Sequence, residues 1–420
     1  METLKLNNTI YKVIRPLFLA LCFFSVFKGV FGWIFSTSVF EYLDELAFFL
    51  AIMVLSPTFL FKQKLKLIYF VIAAFIIYSI VISLLFGVSG NILTISFQTL
   101  ISIKFFIILL AFIELFKDHY NTLNKFFLFV IGFAVLGVLI HVIFGVKFNH
   151  WVGISTFARP NIRYVGFFTH PNHLAYLMIL YVGYILNKKY TISQTLSFRD
   201  LIKIIGSLII IILTDSRTAM LAIGILLFAF YWKFFKSNYK IVLSAILIGI
   251  ISVLYLVFYT NLLNSIIENI HQTLDLASHY IRGNMIYLSG LIFIDYFPIG
   301  TGAATFGSVL SDDAVYALYG QADRYYFANE IGIYDSNVAS IVGEYGFIGI
   351  FFFFAMFYYL ITHLKSFEPA KTLVVPLLVV FLFYLITNPM LTNNLYTILT
   401  SIILVLFVTS HGYKINKDLK

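Results

Sequence analysis

Twelve apolar runs decide what this chain can fold into. They lie at roughly 15–35, 42–60, 67–87, 92–116, 126–146, 171–187, 201–214, 217–235, 241–259, 337–361, 372–388 and 394–411. A helix needs about 20 mostly apolar residues to cross a bilayer, and most of these runs approach that length. Inside lipid each segment has to satisfy its own backbone hydrogen bonds, so the runs predict helices. They are too long and too uniformly apolar for barrel strands. Composition agrees, with 61% hydrophobic and 11% charged residues, against about 25% charged in soluble domains. That balance excludes a soluble enzyme, a disordered chain and a secreted disulfide scaffold. Cys22 is the only cysteine, which removes internal disulfides and zinc-finger chemistry. The expected architecture is an all-α polytopic membrane protein of about 12 transmembrane helices, one integral domain over 1–420. The first run is too long for a cleavable leader and is followed by further spans. The expected location is the plasma (inner) membrane of a bacterium.

The net charge of +9 raises nucleic acid as a partner, but the placement of the charges argues against it. With a cytoplasmic N-terminus, 20 of the 28 Lys and Arg fall in inner segments and 6 in outer ones. Lys28 and Lys104 lie inside spans. Such asymmetry is a topology signal and places both termini in the cytoplasm. The inner residues are nearly all Lys. The outer ones are Lys147, Arg159, Arg163, Arg217, Arg282 and Arg324. Topology needs only positive charge, whereas the planar guanidinium grips phosphate and carboxylate in a bidentate fork. The outer arginines therefore suggest an anionic ligand. Pairing with outer carboxylates such as Asp215, Asp295 or Asp335 is the other reading.

Two outer segments are long, 146–170 and 260–336, and function concentrates in such segments. In the second, Asn261–Asp275 carries Leu262, Leu263, Ile266, Ile267, Ile270 and Leu274 on one face, the pattern of an amphipathic helix lying on a membrane. Tyr280–Phe297 is apolar apart from Arg282, Asn284 and Asp295 and predicts a buried or re-entrant helix. Pro298-Ile-Gly-Thr-Gly302 predicts a turn; one GxG is weak support for phosphate binding. Ser311–Tyr334 combines Asp312, Asp313, Asp323 and Glu330 with Tyr316, Tyr319, Tyr325, Tyr326 and Tyr334. Flat amphipathic rings suit sugar faces and equally suit a membrane interface. The span ending at Thr214 is short, so Asp215-Ser-Arg217 should sit recessed and line a cavity or form a buried ion pair. His170, Asn172 and His173 open the next polar cluster. The three-residue histidine spacing can hold a metal, but no carboxylate motif accompanies it, and hydrogen bonding in the cavity is the preferred role. Lys104 and Glu114 are too far apart along one helix to pair directly and receive no role.

Four motifs in this order resemble the O-antigen polymerase and O-antigen ligase superfamily of bacterial envelope glycosyltransferases. They are Arg163-Tyr-Val-Gly-Phe-Phe-Thr-His-Pro-Asn172; Leu213-Thr-Asp-Ser-Arg217-Thr-Ala; Arg282-Gly-Asn-Met with Pro298-Ile-Gly-Thr-Gly302; and Asp335-Ser-Asn337 with Glu344-Tyr-Gly346-Phe-Ile-Gly349. The resemblance covers about 145–361. It implies a C-type membrane glycosyltransferase with a large extracytoplasmic loop between spans 9 and 10. It also implies metal-independent transfer of a glycan from undecaprenyl diphosphate, with no cofactor. Arg217 and Arg282 match the family's diphosphate arginines, Arg163 matches a further one, and Arg159 is a possible fourth. Neutralising a leaving diphosphate is chemistry that arginines supply. Ligases of the family carry His-Asn where this chain has Ser336-Asn337, which favours a polymerase and leaves the general base among Asp335, Glu344 and His170 in that order. Tyr325, Tyr326, Asn172 and Asn337 are the candidate glycan contacts. The implied partners are an undecaprenyl-diphosphate-linked oligosaccharide, membrane lipid and a chain-length regulator, with no nucleic acid. A ligase to another acceptor and a lipid-linked oligosaccharide transporter are the alternatives.

Overall fold

The computed structural model describes residues 2–35, 38–61, 67–87, 91–145, 147–148, 163–192, 196–237, 262–275, 281–312, 314–321, 336–365 and 374–418. Their regular structure is all helical, with no strand among them. The order is α1 (Glu2–Val26), α2 (Lys28–Phe35), a 3-10 turn (Ser38–Glu41), α3 (Leu43–Phe61), α4 (Leu67–Leu85), α5 (Ile92–Ser102), α6 (Lys104–Phe116) and α7 (Tyr120–Phe144). Then come α8 (Pro171–Ile192), α9 (Phe198–Leu213), α10 (Arg217–Ser237), α11 (Leu262–Leu274), α12 (Ile281–Asp295), α13 (Ala314–Leu318), α14 (Asn337–Lys365), α15 (Val374–Thr387) and α16 (Asn394–Asp418).

Within the described residues the predicted helices form, but by length and composition fewer of them qualify as spans than the apolar runs suggest. Among the described residues three helices are long and apolar enough to cross a membrane: α4, α7 and α14 over Asn337–Leu364. Two bent pairs raise this to five at most. The first expected span breaks after Val26, and α2 leaves α1 at 83°. The fourth breaks at Ile103, where φ −101 and ψ 3 are not helical, and α6 leaves α5 at 52°. Both breaks sit beside a lysine, Lys28 and Lys104, where a polar group interrupts the apolar run. The expected ninth span, 241–259, lies outside the described residues.

Packing separates an inner from an outer set of helices. In α6 every residue from Phe105 to Phe116 is buried except Ile107 and Glu114, and α16 is buried from Asn394 through Thr409. A helix that is apolar on all sides belongs in the middle of a bundle. α16 packs on α6, α8 and α7, forming that middle. The outer helices show large apolar side chains instead, among them Phe351, Phe354 and Tyr358 of α14 and Leu139 and Ile143 of α7. Exposed apolar surface on this scale suits lipid rather than water, as expected of a membrane protein. A second, smaller apolar cluster joins α12, α13 and α14 through Met285, Leu288, Ile292, Phe306, Val315, Tyr316 and Ala339.

Candidate active site

The chain reverses sharply between α9 and α10. Thr214 closes α9, Asp215 takes a left-handed φ of 49, and Ser216 caps α10 by accepting the Ala219 amide at 3.3 Å. The carbonyls at a helix C-terminus lack partners within the helix. Arg163 supplies them: its Nε donates to the Thr214 carbonyl and its Nη2 to the Asp215 carbonyl, each at 3.2 Å. The Tyr164 amide adds a bond to the Leu213 carbonyl at 3.1 Å. Two arginines 54 positions apart in sequence are thus brought to one turn, Arg163 across it and Arg217 directly after it. Arg217 is exposed, and no ion pair joins it to Asp215.

Asn172 fixes this turn from behind. It is buried; its Oδ1 accepts the Ser216 hydroxyl at 2.7 Å, and its Nδ2 donates to Asn388 Oδ1 at 3.1 Å. Asn388 Oδ1 also accepts the Tyr396 hydroxyl at 3.3 Å. One buried amide therefore ties the start of α8, the cap of α10 and the loop between α15 and α16. Asn337 plays a parallel part: its Oδ1 accepts the Leu391 amide at 2.7 Å and its Nδ2 lies 3.4 Å from Thr392 Oγ1. Both asparagines considered as glycan contacts are thus engaged by protein groups. Ser336 caps α14, accepting the Ala339 amide and donating to the Ile386 carbonyl at 2.8 Å.

Arg282 lies in the first turn of α12, half-buried. After α12 the segment 300–308 is wholly buried against α14. Gly346 breaks the helical path of α14 with φ 58 and ψ −157. The break frees the carbonyls one turn earlier, and the Pro298–Gly302 turn takes them. Thr301 N–H donates to the Gly343 carbonyl at 3.0 Å and Gly302 N–H to the Glu344 carbonyl at 2.8 Å. Backbones approach so closely that a Cβ on Gly346 would stand 2.5 Å from Gly300 N, and one on Gly300 2.6 Å from the Glu344 carbonyl oxygen. Glu344 then gathers the next residues. Its Oε1 accepts from Thr305 N at 3.0 Å, Phe306 N at 3.3 Å and Ser308 Oγ at 2.6 Å, while Oε2 has no partner. α4 contributes as well: Ser83 accepts the Ala303 amide at 2.7 Å, and the Tyr78 hydroxyl reaches the Ile299 and Tyr345 carbonyls. The GxG is thus a packed turn against a kinked helix.

Of the tyrosines in the outer loop, Tyr316 is buried and accepts the Gly307 amide at 2.7 Å; burial pushes its phenol up from the ordinary value. The Tyr319 hydroxyl donates to Asp295 at 2.7 Å. His170 Nδ1 accepts the Asn172 amide at 3.2 Å, and its ring lies 5.6 Å from that of His173. Among the described residues no third His, Cys, Asp or Glu joins them. Arg159, Asp335, Tyr325 and Tyr326 lie outside the described residues. α11 forms as expected, with Ile267, Ile270 and Leu274 exposed. Residues given no role from the sequence also gather here: Asn388 behind Asn172, and Lys104 with Asp44, Glu45 and Thr392 around a nearby cavity. The available signal was charge inside an apolar run, which lipid tolerates only where protein or water receives it.

No curated protein matches this chain. The family described as O-antigen ligase matches residues 203–354, which include Arg217, Arg282, the Pro298–Gly302 turn and Glu344. This match is consistent with the O-antigen polymerase and ligase superfamily that the four motifs resemble.

Proposed function

We propose that the protein is a polysaccharide repeat-unit polymerase of the plasma membrane. In this reading it spans the membrane twelve times, with both termini inside and the 260–336 loop outside. It moves a growing glycan from undecaprenyl diphosphate to the non-reducing end of another lipid-linked repeat unit, without a metal. The observation that carries it is the convergence of Arg163 and Arg217 on one turn inside a polar cluster. With Arg282, and Arg159 from the neighbouring loop, these guanidiniums would hold the donor diphosphate and neutralise the charge that develops as it leaves. Asp335 would take the proton from the acceptor hydroxyl, ahead of Glu344 and His170. Glu344 ranks behind it because its Oε1 already accepts three donors and its side chain is buried. Asn172 and Asn337 would support the glycan site, and Tyr325 and Tyr326 would stack on sugar. A chain-length regulator would complete the system.

The family description favours a second reading, a ligase that moves finished glycan to a lipid or protein acceptor. Ser336 argues against it, because its hydroxyl is occupied in capping α14 and bonding Ile386, and a serine offers no base where ligases place histidine. A strain lacking the gene separates the two. Lipid-linked single units stranded on the outer leaflet mark a polymerase, and full-length polymer stranded on its carrier marks a ligase. Arg217→Ala and Arg282→Ala should each abolish chain growth at normal protein level, as read on a surface-glycan gel. Wild-type chain lengths in both would sink the arginine assignment.

A further inference from the structure

Beside the arginine turn lies a cavity of about 300 Å³, at the lower end of small-molecule sites, which run from about 300 to 1,000 Å³. Its wall is built from the first turns of five helices: Lys28 of α2, Asp44 and Glu45 of α3, Lys104 of α6, His173 of α8 and Asn394 of α16. Lys28 Nζ is 3.4 Å from Asp44 Oδ2. Lys104 is buried, 5.7 Å over the Phe48 ring, and shares the wall with Asp44, Glu45 and Lys28. Two lysines offset two carboxylates, so the cavity offers no net charge to an ion. An anion would meet both carboxylates and a cation both lysines.

What the wall offers instead is hydrogen bonding without a protein partner. Both amide atoms of Asn394, Ser25 Oγ and His173 Nδ1 are buried and unpaired. Folded proteins rarely leave such groups unmet, because their desolvation goes uncompensated. A polyhydroxylated ring answers this set: hydroxyls donate to Asp44 and Glu45 and accept from Lys104 and Asn394, while Val26, Ile101 and Val309 cover its C–H faces. Two residues of the wall are chain neighbours of the side chains that brace the arginine turn. His173 follows Asn172, whose Oδ1 holds Ser216, the residue before Arg217. Pro389 in the wall follows Asn388, the other partner of that amide.

We infer that this cavity is a saccharide site that holds an uncharged sugar ring of the glycan acceptor next to the arginine turn. The inference rests on the glycosyl-transfer reading above. Its six first-turn residues all lie outside the 203–354 family segment. The matched segment supplies Arg217 and Arg282 of the donor site, and the helices around it choose the acceptor.

The test is saturation-transfer NMR on the full-length protein in nanodiscs, with glucose, galactose and N-acetylglucosamine offered separately and inorganic pyrophosphate in parallel. At least one hexose should bind the wild type. Its affinity should fall tenfold or more in Asn394→Leu and at least threefold in Ser25→Ala, and should hold in Arg217→Ala. Ser25→Ala removes a hydroxyl that bonds nothing in the protein, so its thermal midpoint should stay unchanged, and it decides the question if Asn394→Leu does not fold. Binding of no hexose, or equal binding by wild type and Ser25→Ala, overturns the site. Loss of pyrophosphate binding in Ser25→Ala or Asn394→Leu makes it an anion site and also overturns it. Pyrophosphate binding that survives in Arg217→Ala and Arg282→Ala sinks the donor reading instead and leaves the sugar site standing.

Discussion

Single side chains here do structural work that their chemistry disguises. Glu344 looks like a catalytic acid in sequence, yet one of its oxygens organises three donors of the 305–308 segment. A glutamine keeps an acceptor at that position and places its amide where Oε2 has no partner. Glu344→Gln should therefore sustain chain growth within about threefold on a surface-glycan gel, at near-normal protein level. Glu344→Ala leaves three buried donors unmet, at ~1–3 kcal/mol each before relaxation, and should lose at least ~3 kcal/mol of stability. A glutamine variant that folds but makes no polymer would move the base to Glu344. Asn172 is the complementary case. It reads as a glycan contact, but in the structure it bridges Ser216 and Asn388. Asn172→Leu should lower the thermal midpoint through ~2–4 kcal/mol of unmet hydrogen bonding. Asn172→Asp, which keeps the Ser216 bond, should lose less; equal midpoints for wild type and the leucine variant would remove the bridge from the account.

At the scale of elements, the decisive feature is the kink of α14. Its φ and ψ at Gly346 belong to a region open essentially only to glycine, and the Pro298–Gly302 turn fills the gap the kink opens. Gly346→Ala adds backbone strain of ~1–3 kcal/mol and drives a Cβ to 2.5 Å from Gly300 N. The expected result is a protein that fails to accumulate in the membrane, checked by immunoblot with Gly224→Ala, where an added Cβ meets nothing within 4 Å, run beside it; normal levels and normal polymer would mean that the turn can move. The sequence marks the elements themselves well, since α3 to α10 and α14 to α16 fall on apolar runs. Hydropathy taken over a whole run does not mark the breaks at Phe27 and Ile103, although a lysine follows each, because one residue barely moves the mean of a long apolar run.

At the scale of the molecule, the charge asymmetry and the packing speak to different questions. The Lys and Arg distribution predicts both termini inside. Cysteine variants made after Cys22→Ser test this with an impermeant thiol reagent on intact cells. Lys64→Cys and Lys414→Cys should stay unlabelled until the membrane is opened, whereas Ser155→Cys and Ala328→Cys should label at once. Labelling of Lys64→Cys in intact cells would invert the topology and place the arginine turn on the wrong face for an outer-leaflet donor. The packing shows why α6, α8 and α16 hold the centre: they are apolar on every side, while α4, α7 and α14 keep a face for lipid.

Hydropathy by itself determined that this chain is helical and made for a membrane, because lipid penalises any backbone group that a segment leaves unpaired. The motif order by itself pointed to the glycan-transfer superfamily and singled out the arginines. Only the tertiary structure decided which polar residues are left to meet a ligand. Asn172, Asn337 and Glu344 became supports, and Lys104, in an apolar run with no helical neighbour to pair with, joined Asp44, Glu45 and Asn394 around one cavity. These partners come from helices far apart in the chain, and hydrogen bonds between such residues leave no period or spacing for a sequence to display.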